Sequence, residues 1–155
     1  MLPDFNEFGD LPEGIHRASI DEIKNVFGSG SSQRKTLTRQ LLEIINLTRS
    51  TGQLREVFIF GSYVTAKPAP NDIDLLLVMS AEFDSEDVVG RPRLVFDAMA
   101  AQHLFNASIW WITQRTEPST RNLMLEQIQI KRDGLSRGIV FASLTNDFVL
   151  WEVIL

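Results

Sequence analysis

A carboxylate inside an apolar run is the feature that most limits what this chain can fold into. Residues 73–79 read IDLLLVM, apolar except for Asp74. A run of that length and branching suits a strand buried on both faces. An ionised group is expensive in such a place unless a cation or a donor meets it. Asp72 stands two positions earlier, and residues two apart on a strand point to the same face, so both carboxylates can be aimed at one point. Upstream, VFIF at 57–60 reads as another buried strand, bounded by Gly61 and Ser62. A glycine there lets a phosphate approach the backbone, and the serine hydroxyl and amide can donate to its oxygens. Between the carboxylates the natural guest is a hard cation. Mg2+ takes oxygen ligands, with waters and triphosphate oxygens completing its octahedron, and two such ions stabilise attacking and leaving oxygens in line.

Around this segment the chain alternates helix and strand signals. Residues 1–18 contain Pro3, Gly9, Pro12 and Gly14 and read as an irregular lead-in on the surface. Ser19 with Glu22 three residues on forms a capping box, and Ile20, Ile23 and Val26 follow at helical spacing until Gly28. Ser31 or Ser32 then caps a longer helix whose stripe is Leu37, Leu41, Ile44, Ile45 and Thr48, ended by Gly52. Residues 92–105 predict a further helix, and SIWWI at 108–112 a third strand. The run 123–130 fits either a helix or the first arm of a hairpin. The alternation of Ile128 and Ile130 before an Asp133-Gly134 turn favours the hairpin, with the run 138–141 as its return. Residues 148–155 read as a last strand or docked tail.

Composition bounds the rest. With 155 residues, 44% hydrophobic and 23% charged, one domain spanning 1–155 is expected. The absence of cysteine excludes a disulfide framework, a thiolate zinc site and a cysteine nucleophile. MLPDFNEFGD carries three acidic groups and no basic one, unlike a secretory or mitochondrial leader. No apolar stretch approaches the roughly 18 residues of a membrane span, so no membrane partner and a cytoplasmic location are expected. A net charge of −5 argues against extended duplex nucleic acid as partner, which needs many Lys and Arg contacts.

Gly61-Ser62 followed by Asp72-Ile-Asp74 resembles the signature of the DNA polymerase beta superfamily of nucleotidyltransferases, and the chain's size is similar to its minimal members. LPEGIH at 11–16, GSYVTAK at 61–67, NDIDL at 71–75 and RDGLSRGIV at 132–140 are similar to bacterial nucleotidyltransferase-domain proteins. The resemblance implies an α+β nucleotidyltransferase fold, a mixed β-sheet flanked by helices. It implies that Gly61 and Ser62 grip the β and γ phosphates of a nucleoside triphosphate, with Asp72 and Asp74 as catalytic residues holding Mg2+. The implied reaction moves a nucleoside monophosphate to a hydroxyl of a protein, RNA or small molecule, with pyrophosphate leaving. Active relatives carry a third carboxylate on the following strand; here the expected position is about Ser108, which has none. Asp97, Asp84 or Glu152 could substitute.

Of the remaining polar residues, Lys67 and Arg91 could reach phosphates, Lys67 being the nucleotide-binding candidate. Tyr63 either stacks on a base or packs beneath the loop, and packing is preferred. His16 and His103 have no adjacent nucleophile pattern. Trp110 and Trp111 face opposite sides of their strand, one under a helix and the other at an edge or interface. Two expectations follow: a Mg2+-dependent transferase, or a catalytically impaired module that binds nucleotide or a protein partner. By fold-level analogy, an antitoxin beside a toxin-like partner is an instance of the second.

Overall fold

The computed structural model describes residues 1–144; the tail expected at 148–155, with Trp151 and Glu152, lies outside them. Five strands, β1 (Ile15–Ser19), β2 (Leu54–Phe60), β3 (Ile73–Met79), β4 (Ala107–Thr113) and β5 (Ile139–Ser143), form one sheet in the order β1-β5-β2-β3-β4. The outer pairs β1/β5 and β3/β4 are parallel, while β2 runs antiparallel to both β3 and β5. The sheet is therefore mixed, and with its helices the fold is α+β, as expected from the resemblance.

Strand alternation divides the core in two. Val57, Ile59, Leu75 and Leu77 point to the face covered by α1 (Ile20–Phe27), α2 (Ser32–Arg49) and α3 (Ala98–Phe105), joining Ile23, Phe27, Leu41, Ile45 and Phe105. Phe58, Leu76, Val78 and Ile139 point the other way, where α4 (Pro118–Gln127) sets Leu125 on them. Asp74 shares the parity of Leu76 and Val78, so it sits on this second, more open face.

The helix starts follow the capping signals. The Ser19 side chain accepts from the Glu22 amide at 3.0 Å, and Ser31 accepts from the Arg34 amide at 3.1 Å. The helix predicted over 92–105 is split. Residues Arg91–Phe96 form 3-10 turns with Pro92 in the first turn, Asp97 adopts extended backbone, and its carboxylate caps α3 by accepting from the Ala100 amide. An Asp that satisfies an orphan amide starts a helix more effectively than it continues one.

Two other expectations are corrected. Residues 15–18 are not irregular: they lie in β1, where the extended edge of β5 supplies hydrogen bonds. The hairpin arm over 123–130 is instead mostly α4, followed by turns. Its apolar residues fit both periods, and packing of Met124, Leu125 and Ile128 on the sheet selects the helical one. The Asp133-Gly134 turn does form, with Gly134 at φ 85° and a single antiparallel bridge, Ile130 to Ser136, beside it. Among the described residues, no helix is long and apolar enough to cross a membrane.

Candidate functional site

The C-terminal end of β2 and the N-terminal end of β3 meet where Phe60 pairs with Asp74. Gly61 follows at φ 77°, ψ −165°, a backbone region essentially reserved for glycine. A Cβ there would stand 2.0 Å from Asp74 Oδ2. The space that the missing side chain leaves is thus filled by the Asp74 carboxylate, a role distinct from the phosphate approach expected for Gly61.

Burial raises the pKa of Asp74 to about 6, and the Asp72 charge adds to the effect, while Arg137 and Arg132 oppose it. The two carboxylates feel one another, Asp72 standing just before β3 and Asp74 within it. In the parallel register of β3 and β4, the residue opposite Asp74 is Ser108. The position expected for a third carboxylate is therefore directly beside the second and bears only a hydroxyl.

A polar cavity of about 540 Å³ brings together Ser62, Lys67, Asp72 and Asp74 with Arg132 and Arg137. A second cavity of similar size adjoins it, lined by Phe60, Gly61, Trp110, Met124 and Ile128. Asp74, Lys131, Arg132 and Arg137 border both. Every residue expected in the nucleotide and metal site on sequence grounds thus borders one of two connected cavities.

The other candidates are elsewhere. Arg91 is paired with Glu43 and lies over the Phe105 ring, and it lines neither cavity. Asp97 and Asp84 are both spent on capping, Asp84 accepting from the Glu86 amide. His16 is held by the Pro12 carbonyl at 2.6 Å, and His103 is exposed on α3. Tyr63 is fully buried against Phe27 with its hydroxyl 2.6 Å from Thr38 Oγ1; burial pushes its pKa to about 12. It packs under the loop rather than stacking on a ligand. Trp111 makes edge contacts with Phe83 and Phe96 under the helices, while Trp110 is 58% exposed at the rim of the apolar cavity. Among the described residues, no group of three or more His, Asp or Glu side chains could hold a metal.

A family model described as "Family of unknown function (DUF6932)" matches residues 3–142. The chain belongs to this family. No curated protein matches it. Among solved structures it is similar, at 18% identity and a TM-score of 0.33, to a candidate nucleotidyltransferase from Sulfolobus solfataricus, covering 70% of this chain and 96% of that one. At that score the chemistry of the DUF6932 chain rests on its own residues.

Three features of this DUF6932 site escape the linear sequence. Arg34 is 5% exposed and, among the described residues, has no acidic partner. Its guanidinium donates to the carbonyls of Phe27, Tyr63, Thr65 and Lys67, with Nη1 to Tyr63 O at 2.8 Å and Nη2 to Lys67 O at 2.7 Å. It gathers the loop after Gly61 around one buried charge, and burial lowers its pKa. Its sequence signal was available: Arg34 lies one turn before Leu37 and Thr38 on the buried stripe of α2. Asp10, buried in the lead-in, binds Lys131 at 2.8 Å and faces Arg137 at 3.7 Å, so residues far apart in the chain fix the basic wall. Among the described residues Arg132 has no hydrogen-bond or ion-pair partner; it lines the cavity, where its charge acts on Asp74.

Proposed function

We propose that this chain is a nucleotidyltransferase that binds a nucleoside triphosphate with Mg2+ and transfers its nucleoside monophosphate to a hydroxyl. The observation that carries the reading is the convergence of Ser62, Lys67, Asp72, Asp74, Arg132 and Arg137 on one polar cavity. Two carboxylates among cationic side chains suit a phosphate chain with its counter-ion better than they suit a neutral ligand. The donor set fits one Mg2+ ion, held by Asp72 and Asp74, more naturally than two, since the third carboxylate of the cavity, Asp133, faces Lys131 at 3.7 Å. Bound there, the ion would neutralise phosphate charge and polarise the bond to the leaving pyrophosphate.

The chain's own part is positioning. Ser62 and the loop amides donate to phosphate oxygens, and Lys67, Arg132 and Arg137 balance the charge that builds on the departing pyrophosphate. Arg34 keeps the loop's carbonyls turned inward, away from the phosphates. Calorimetric titration with ATP, GTP, CTP and UTP, with and without Mg2+, tests the reading. Mg2+-dependent binding that disappears in Asp72→Asn/Asp74→Asn supports it, and unchanged affinity in that double variant overturns it.

Ser108 favours one second reading. With a hydroxyl opposite Asp74, β4 supplies no charged ligand beside the attacking group. Nucleotide binding without turnover, in a module that docks on a protein partner such as a basic toxin-like protein, would then be the function. Release of pyrophosphate separates the two readings.

A further inference from the structure

The apolar cavity beside Asp74 is not needed to hold phosphates. Its walls are Phe60, Trp110, Leu123, Met124, Ile128 and Ile130, and its volume is about 540 Å³, within the range of small-molecule sites. Gln127 is its one uncharged polar side chain. A nucleobase would stack there with its hydrogen-bonding edge largely unread. Resting on the transferase reading above, we infer that this cavity is the acceptor subsite and that the acceptor is a small, anionic phenol.

Three observations converge on that class. First, Asp74 borders both cavities. Attack on a phosphoryl group is in line with the leaving group, so with the pyrophosphate in the polar cavity an acceptor needs a second space next to Asp74, which the apolar cavity offers. Second, the exposed indole of Trp110 and the ring of Phe60 offer flat apolar surface for an aromatic body, and the basic cluster Lys131, Arg132 and Arg137, which borders both cavities and is only partly offset by Asp10, extends its positive field over this one as well. Third, Ser108 stands where an acid is expected on the strand beside Asp74, and among the described residues neither cavity is lined by a histidine. A phenol ionises near pKa about 10, against about 15.7 for water, which aliphatic hydroxyls resemble. It needs far less help to lose its proton.

The step balances without another reactant. The phenol releases its proton to solvent, and its oxygen forms a bond to the α-phosphorus. The bond from that phosphorus to the bridging oxygen breaks, with the electron pair leaving on pyrophosphate. The product is an aryl nucleoside monophosphate ester.

The test uses the full chain with 3-(4-hydroxyphenyl)propionate as probe and 3-phenylpropionate as the control without the hydroxyl. Both should bind saturably. With Mg-NTP only the phenol should yield an ester by mass spectrometry, with one pyrophosphate per ester. Leu123→Glu, on the solvent side of α4, should weaken probe binding at least tenfold and leave Mg-NTP affinity within twofold. If Leu123→Glu weakens nucleotide as much as probe, the cavity holds the base, which overturns the acceptor assignment and leaves the transferase reading standing. Absence of saturable probe binding in protein that binds Mg-NTP also overturns it. If the probe binds and no triphosphate does, the transferase reading falls and the acceptor role with it.

Discussion

Replacing Asp74 by asparagine keeps the shape of the side chain and removes its charge, so it reports what that charge costs the fold. The carboxyl titrates at about 6 in the folded chain against an ordinary 3.8, because burial and the Asp72 charge both penalise ionisation. At about 1.4 kcal/mol per tenfold change in proton affinity, the full difference would be roughly 3 kcal/mol. Asp74 keeps part of its surface in water, which screens such charges, so the share expected in stability is roughly 1–2 kcal/mol. The sign follows from proton counting. Below about pH 4 the group is protonated in both states and costs nothing. Between about 4 and 6 the unfolded chain releases its proton while the folded chain retains it, so stability falls as pH rises, and above about 6 the loss is complete. Asparagine avoids this loss. Asp74→Asn should therefore match the parent near pH 4 and exceed it at pH 7.5 by roughly 1–2 kcal/mol, or several degrees in Tm for a domain of this size. Urea unfolding of both proteins from pH 4 to 8, without divalent cations, measures the difference. A variant that is less stable at pH 7.5, or whose gain is the same at pH 4, would refute the account. Adding Mg2+ should narrow the gap by stabilising the parent alone.

Gly61→Ala should destabilise the fold by about 2–4 kcal/mol, combining a glycine-only backbone region with a Cβ driven into Asp74; a double variant with Asp74→Gly, which removes the obstruction, should recover part of that in urea unfolding. Arg34→Met should cost about 2–4 kcal/mol by orphaning buried carbonyls of the loop after Gly61. Amide exchange in residues 62–67 should rise more than in β2, and equal protection in both would argue that Arg34 does not organise the loop. Ser108→Asp should add a carboxylate opposite Asp74, lowering stability without metal and raising Mg2+ affinity in calorimetry; if the site is a transferase, pyrophosphate release should rise with it.

Sequence periodicity by itself determined β2, β3 and β4, the long helix α2 with its cap at Ser31 or Ser32, and the pairing of Asp72 with Asp74. Each depends on residues within a few positions of one another, where strand alternation and capping act. The expected third acid at about Ser108 came from the family resemblance, and the parallel register of β3 and β4 sets that residue beside Asp74. Tertiary structure decided the rest. The run 123–130 fits two periods, and only the sheet face beneath Met124, Leu125 and Ile128 selects the helix. Residues 15–18 carry weak strand signal and become β1 because β5 offers an edge. Only the folded chain closes the loop carbonyls around Arg34 and brings Asp10, more than a hundred residues away, to Lys131 and Arg137. Local propensity is a sum over neighbours in the chain. A cavity is made by residues that are neighbours only in space, so its shape, its basic wall and its apolar annex emerge when the sheet is assembled.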